Sequence, residues 1–157
     1  VRLDVPQIAV AWRGRAHQAG LSLRRLPFLG AWPIWQRTLA SVLTVSARQA
    51  GAEPVWLHHP LDDRLAHRFL AHLAAVLASR ALAAPYTASP LDLAADLPAP
   101  TLLMPLTLAA NRLTESLTTP GPALTTPESL PQIHVLPPLL EIPALRQVLI
   151  AALEDLP

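Results

Sequence analysis

The run from His58 to His67, HHPLDDRLAH, places three imidazoles and two carboxylates within ten residues. Imidazole and carboxylate are the side chains that hold divalent metals and move protons near neutral pH, so this is where chemistry is sought first. His58, His59 and Asp62 are the candidate metal ligands. The spacing matches no defined ligand pattern, and a second explanation accounts for each member. Asp62 or Asp63 falls where a helix starting near residue 62 wants an N-cap. His67 lies on that helix's polar side, and neighbouring histidines in a strand point to opposite faces. The structural reading carries more weight than the metal reading, and no catalytic residue or cofactor is assigned. His134 falls inside a short apolar run and reads as an interior histidine.

Other chemistries lack their parts. The chain has no cysteine, which removes disulfides, thiolate nucleophiles and cysteine-held zinc, and suits a reducing, cytoplasmic setting. The five glycines form no phosphate-binding loop and no serine-nucleophile elbow occurs. No apolar run reaches the roughly 18 residues of a membrane span.

All twelve basic residues are arginine. That bias fits the base composition of an Ala-, Leu- and Pro-rich gene, but the clustering is informative. Residues 1–50 hold seven arginines against Asp4 alone. A basic front suits nucleic acid or an acidic protein surface, and it also suits an ordinary solvated face. Arg13, Arg15, Arg24 and Arg25, together with Trp32 ahead of a predicted helix, are the candidate contact residues for a protein partner or DNA.

The elements that would position these groups alternate along the chain. Ile8, Val10 and Trp12 at period two predict a strand over 7–12. Further strands are expected near 55–58, 101–105 and 132–136, and helices near 33–49, 62–82, 107–118 and 143–155. Leu39, Val42, Leu65, Phe69, Leu73, Leu103, Leu113, Val135, Leu145 and Leu149 are the expected core. Strand–helix alternation predicts an α/β fold, a three-layer α/β/α sandwich around a four-stranded parallel sheet, in one domain over 1–157.

Three segments carry a resemblance. HVLPPLLEIPALRQVLIAALEDL, PFLGAWPIWQRTLASVL and TLLMPLTLAANRLTESL resemble the last strand and helix, the P-F-x-G segment with its helix, and the third strand and helix of the uracil-DNA glycosylase superfamily. That family's four parallel strands between helices agree with the alternation above. Its enzymes carry a His-Pro loop after the last strand and a Gly-rich acidic loop after the first. Here Pro138 joins VLP directly to PLLEIPALR, and Arg13, Gly14 and Arg15 follow the predicted first strand. The shortened ending is similar to that of the psi subunits of bacterial DNA polymerase III. This resemblance implies a non-catalytic adaptor bridging a chi-like subunit and the clamp loader. Psi subunits touch the clamp loader through a segment ahead of the domain, which is expected to lie outside this chain.

Three readings therefore stand: an adaptor in a replication complex; a divergent glycosylase-type hydrolase using His58, His59 or Asp62; and a nucleic-acid binder using the N-terminal arginines.

Overall fold

The computed structural model describes residues 5–21, 28–60, 63–85, 87–98, 100–118 and 132–155. Its internal contacts divide the chain into two units, Val1–Ala31 and Trp32–Pro157.

The first unit contains helix α1, Val5–Gln18. This corrects the strand expected over 7–12. Val5, Ile8, Ala9 and Trp12 are spaced i, i+3, i+4 and i+7, so the same few residues satisfy the helical period as well as the alternating one. The helical stop is also encoded locally. Gly20 takes φ 67°, and its N–H and that of Leu21 donate to the carbonyls of His17 and Ala16, the paired bonds of a Schellman closure.

The second unit begins with α2, Pro33–Ala50, and continues β1 Glu53–His58, α3 Arg64–Leu77, β2 Arg80–Ala83, α4 Pro90–Ala95, β3 Thr101–Pro105, α5 Arg112–Thr118, β4 Ile133–Val135 and α6 Pro143–Glu154. The four strands are all parallel, in the order β2-β1-β3-β4. The expected sheet is present, but one of its strands is not where it was placed. β2 stands in for the strand expected at 7–12, and it is cut from the end of the helix expected over 62–82. Its sequence, RALA, favours helix by propensity, and pairing with β1 from Val55–Arg80 to His58–Ala83 overrides that preference.

Helix ends follow from particular residues. Pro33 opens α2, and Gly51, at φ 60°, closes it, with bonds from Gly51 N–H to Arg48 O and from Ala52 N–H to Ala47 O. The Asp63 carboxylate caps α3 by accepting from Leu65 N–H at 2.6 Å. That helix stops at Ala78, which adopts φ 46° without being glycine. The Trp56 indole N–H donates to Ser79 O at 3.3 Å and ties down the turn that follows.

Strand alternation divides the core. Val55, Leu57 and Leu103 pack with Ala94, Leu97, Leu113 and Leu117 under α4 and α5. Trp56, Leu102 and Met104 turn to the other face, against which α2 packs with α3 and α6 beside it. All five residues of β3 are buried, as expected of the central strand in a covered parallel sheet. Of the expected core, Leu39, Leu73, Leu103, Leu113 and Leu145 are buried, while Val42, Phe69 and Leu149 are half-buried. Leu65 is 72% exposed and Val135 38% exposed, so both are corrected. Leu65 sits in the first turn of α3, to the side of the buried row made by Leu73 and Leu77. Val135 ends the short edge strand, and His134, the strand's middle residue, is exposed as well, which removes that histidine from the interior.

Candidate functional site at the carboxyl end of the sheet

In the order β2-β1-β3-β4 the connections leave in opposite directions from β1 and β3, so the crevice of an open α/β sheet lies between the carboxyl ends of those two strands. The residues emerging there are His58, His59 and Pro60 from β1, and Leu106, Thr107 and Leu108 from β3. The candidate histidines therefore stand at the sheet's switch point.

Their near ring nitrogens face backbone carbonyls. His58 Nδ1 lies 2.9 Å from His59 O, and His59 Nδ1 lies 3.2 Å from Ala84 O. A carbonyl only accepts, so each contact is a hydrogen bond when the ring carries a proton on Nδ1. The His58 ring also lies against Trp56, with centroids 5.4 Å apart. Asp63 is engaged as the α3 cap, and Asp62 lies outside the described residues. Among the described residues no three His, Asp or Glu side chains converge to hold a metal ion.

The loops at this end of the sheet are stitched together. Leu106 N–H donates to Leu57 O at 2.8 Å, joining the ends of β1 and β3. Leu136 N–H donates to Leu103 O at 2.8 Å. Beyond it, Leu139 N–H donates to Thr107 O at 2.8 Å and Leu140 N–H to Leu108 O at 3.0 Å. Pro138, Leu139 and Ile142 are buried, and Leu108 stays 46% exposed. The Thr107 hydroxyl is buried here without a hydrogen-bond partner among the described residues.

A cleft of about 260 Å³ opens farther out, past the end of β2 and between α4 and α5. Ala84, Pro85, Thr87, Ser89, Arg112 and Ser116 border it. Ser89 caps α4 through Asp92 N–H at 3.4 Å. At α5, Asn111 Oδ1 accepts from Leu113 and Thr114 N–H while Thr114 Oγ1 accepts from Asn111 N–H. Sequence reasoning did not single out this cleft, because its parts are separated along the chain and each reads as a cap or a solvated residue.

Three of the N-terminal candidates are described. Arg13 and Arg15 lie within α1 rather than in a loop after a strand, and the Arg15 guanidinium sits over the Trp12 ring, 6.0 Å from its centroid. Trp12 is 57% exposed. Trp32 is the half-buried N-cap of α2, its carbonyl accepting from Gln36 N–H at 3.0 Å. Arg24 and Arg25 lie outside the described residues. Among the described residues no helix is long and apolar enough to cross a membrane. No family model, curated protein or solved structure matches the chain.

Proposed function

We propose that this chain is a non-catalytic adaptor of the psi-subunit kind, working in the cytoplasm and bridging a chi-like subunit and the clamp loader of a DNA replication complex. The observation that carries the reading is the loop from Leu136 to Ile142. Its backbone lies along the loop after β3 through the bonds to Thr107 and Leu108, and it puts leucine and proline at the carboxyl end of the sheet, the end where an open α/β fold usually presents reacting groups. Leucine and proline in that position suit an interface better than a polar pocket that must read an extruded base. The first unit adds support. Its helix α1 exposes Trp12 beside Arg13 and Arg15, and aromatic and arginine side chains dominate binding energy at protein interfaces. A helix of that make-up ahead of the sheet can serve as a contact segment.

The test is reconstitution. Size-exclusion chromatography of the full chain with purified chi-like subunit and clamp loader is expected to give a joint peak. Migration as three separate species refutes the adaptor assignment.

One observation favours the hydrolase reading. The strand expected at 7–12 is helix, so the first strand is β1 and the loop after it is HHPLDD, with two histidines at the switch point. Uracil-containing DNA incubated with excess protein separates the readings. The adaptor leaves it intact. Uracil release that disappears in His58→Ala or His59→Ala establishes the hydrolase.

A further inference from the structure

Arginine stands without acid on two neighbouring helices, α2 and α3. On α2 the row facing away from the sheet is Arg37, Ser41, Thr44 and Arg48, opposite the buried row Trp35, Leu39, Leu43 and Ala47. Arg37 and Arg48 are eleven positions apart, which is close to three full turns, so they share one face. On α3 the outward row is Arg64, Arg68, Ala71 and Ala75, opposite buried Leu73 and Leu77. The two helices pack side by side, and His72 Nε2 lies 3.4 Å from Gln36 Oε1 across the seam.

Neither helix contains an aspartate or glutamate. At the start of α3 Asp63 has its carboxylate turned to its cap bond, and α6, which packs along α2, carries Arg146 with Glu154 and Asp155 at its far end. Across the sheet, α4 and α5 carry Asp92 and Glu115, with Asp96 just after α4, against Arg112 alone. The near-neutral total charge therefore conceals a basic face. Serine, threonine and alanine between the guanidiniums keep that face low, so a flat, charged chain can reach several arginines at once.

We infer that the α2–α3 face binds the phosphate backbone of nucleic acid without sequence preference, through Arg37, Arg48, Arg64 and Arg68. Guanidinium groups match phosphate in charge and fork geometry. Ser41 and Thr44 add hydroxyls of the kind that also bond phosphate oxygens. An acidic protein would need a large apolar anchor near the centre of the patch, and the centre here is serine, threonine and alanine. Of the exposed apolar residues, Val45 and Leu65 lie beside the rows, and Ile34 lies at the α2 end of the face, in the first turn, rather than at its centre. The inference uses neither Arg13 nor Arg15 and does not rest on the adaptor reading.

Fluorescence anisotropy of labelled oligothymidylate with the full chain tests it. Binding is expected at low ionic strength and should fall with salt on a log–log slope of about −2 to −3, from ~0.7 per phosphate contact and four arginines. Arg64→Ala with Arg68→Ala should weaken binding about fivefold or more and flatten the slope by about 1.4. These side chains are exposed, and unchanged circular dichroism confirms the fold. Arg80→Ala, which removes one charge from the edge strand, should leave affinity within about twofold. Absence of binding at low salt, or a double variant that binds as wild type, overturns the inference. So does loss of binding in Arg13→Ala with Arg15→Ala alone. Polyglutamate that binds as tightly at equal charge, and loses affinity in the same double variant, reassigns the face to acidic proteins.

Discussion

Replacing Ala78 with glycine is expected to stabilise the protein, although it removes a side-chain atom. Ala78 ends α3 in the left-handed region at φ 46°, where its Cβ crowds the following carbonyl oxygen. That conformation costs an L-residue about 1–2 kcal/mol. Glycine removes the crowding but gives back ~0.4–1 kcal/mol through a more disordered unfolded chain. Ala78 is exposed, so losing its methyl group leaves no cavity. The net gain is about 0.5–1 kcal/mol. With unfolding entropy near 2.1 cal/mol/K per residue, a chain of this size should show a Tm rise of about 1.5–3 °C. Differential scanning calorimetry or urea unfolding measures it. Ala78→Val supplies the opposite sign, because a β-branched residue is still less tolerant of positive φ. If glycine is neutral or destabilising while valine is harmless, the left-handed turn does not set the end of α3.

Three further outcomes follow from single contacts. Asp63→Ala removes the acceptor for Leu65 N–H and should cost about 1 kcal/mol, read as a lower urea midpoint at unchanged m-value. Leu103→Ala, at the fully buried centre of β3, should cost about 2–5 kcal/mol, a large share of an ordinary total of about 5–15 kcal/mol, read as a lower urea midpoint. Leu108→Asp changes an exposed residue of the loop after β3, so it should unfold like wild type. Under the adaptor reading it should weaken binding to the partner that covers this rim, and equal affinity in a pull-down would place the interface elsewhere.

The elements read correctly from sequence have their limits written in single residues. α2 runs from Pro33 to the Gly51 closure, α6 begins at Pro143, and β3 is an apolar run too short for a helix. The failures lie where such marks are absent or ambiguous. Ala78 takes the conformation glycine usually announces, so nothing in LASRALAAP separates helix from edge strand, and the helix expected over 62–82 absorbs β2. In PQIAVAW both periods fit, and Gly20, ten residues downstream of the alternating stretch's middle at Val10, is what favours the helix. The basic face was equally hidden. Its four arginines come from two segments, Arg37 and Arg48 in one half of the charge tally and Arg64 and Arg68 in the other, and only packing unites them.

The misplaced strand alters the functional argument as well as the fold. With a strand at 7–12, WRGRA would have occupied the first loop of the sheet, and both catalytic loops of the glycosylase pattern would have been replaced by residues without acid–base chemistry. With β1 at 53–58 the first loop is HHPLDD, which has histidines and acids but no glycine. The adaptor reading then rests on the last loop and on α1. The last loop is the stronger support, because its displacement is a matter of backbone. Moving the segment after β4 would break its bonds to Thr107 and Leu108 and lift buried Leu139 and Ile142 out of the core. Exposing two such side chains costs about 3–6 kcal/mol before any reaction begins. His58 and His59 keep their Nδ1 contacts to the carbonyls of His59 and Ala84, which do not involve this segment. A segment that costly to move suits a fixed surface for a partner better than a gate for substrate.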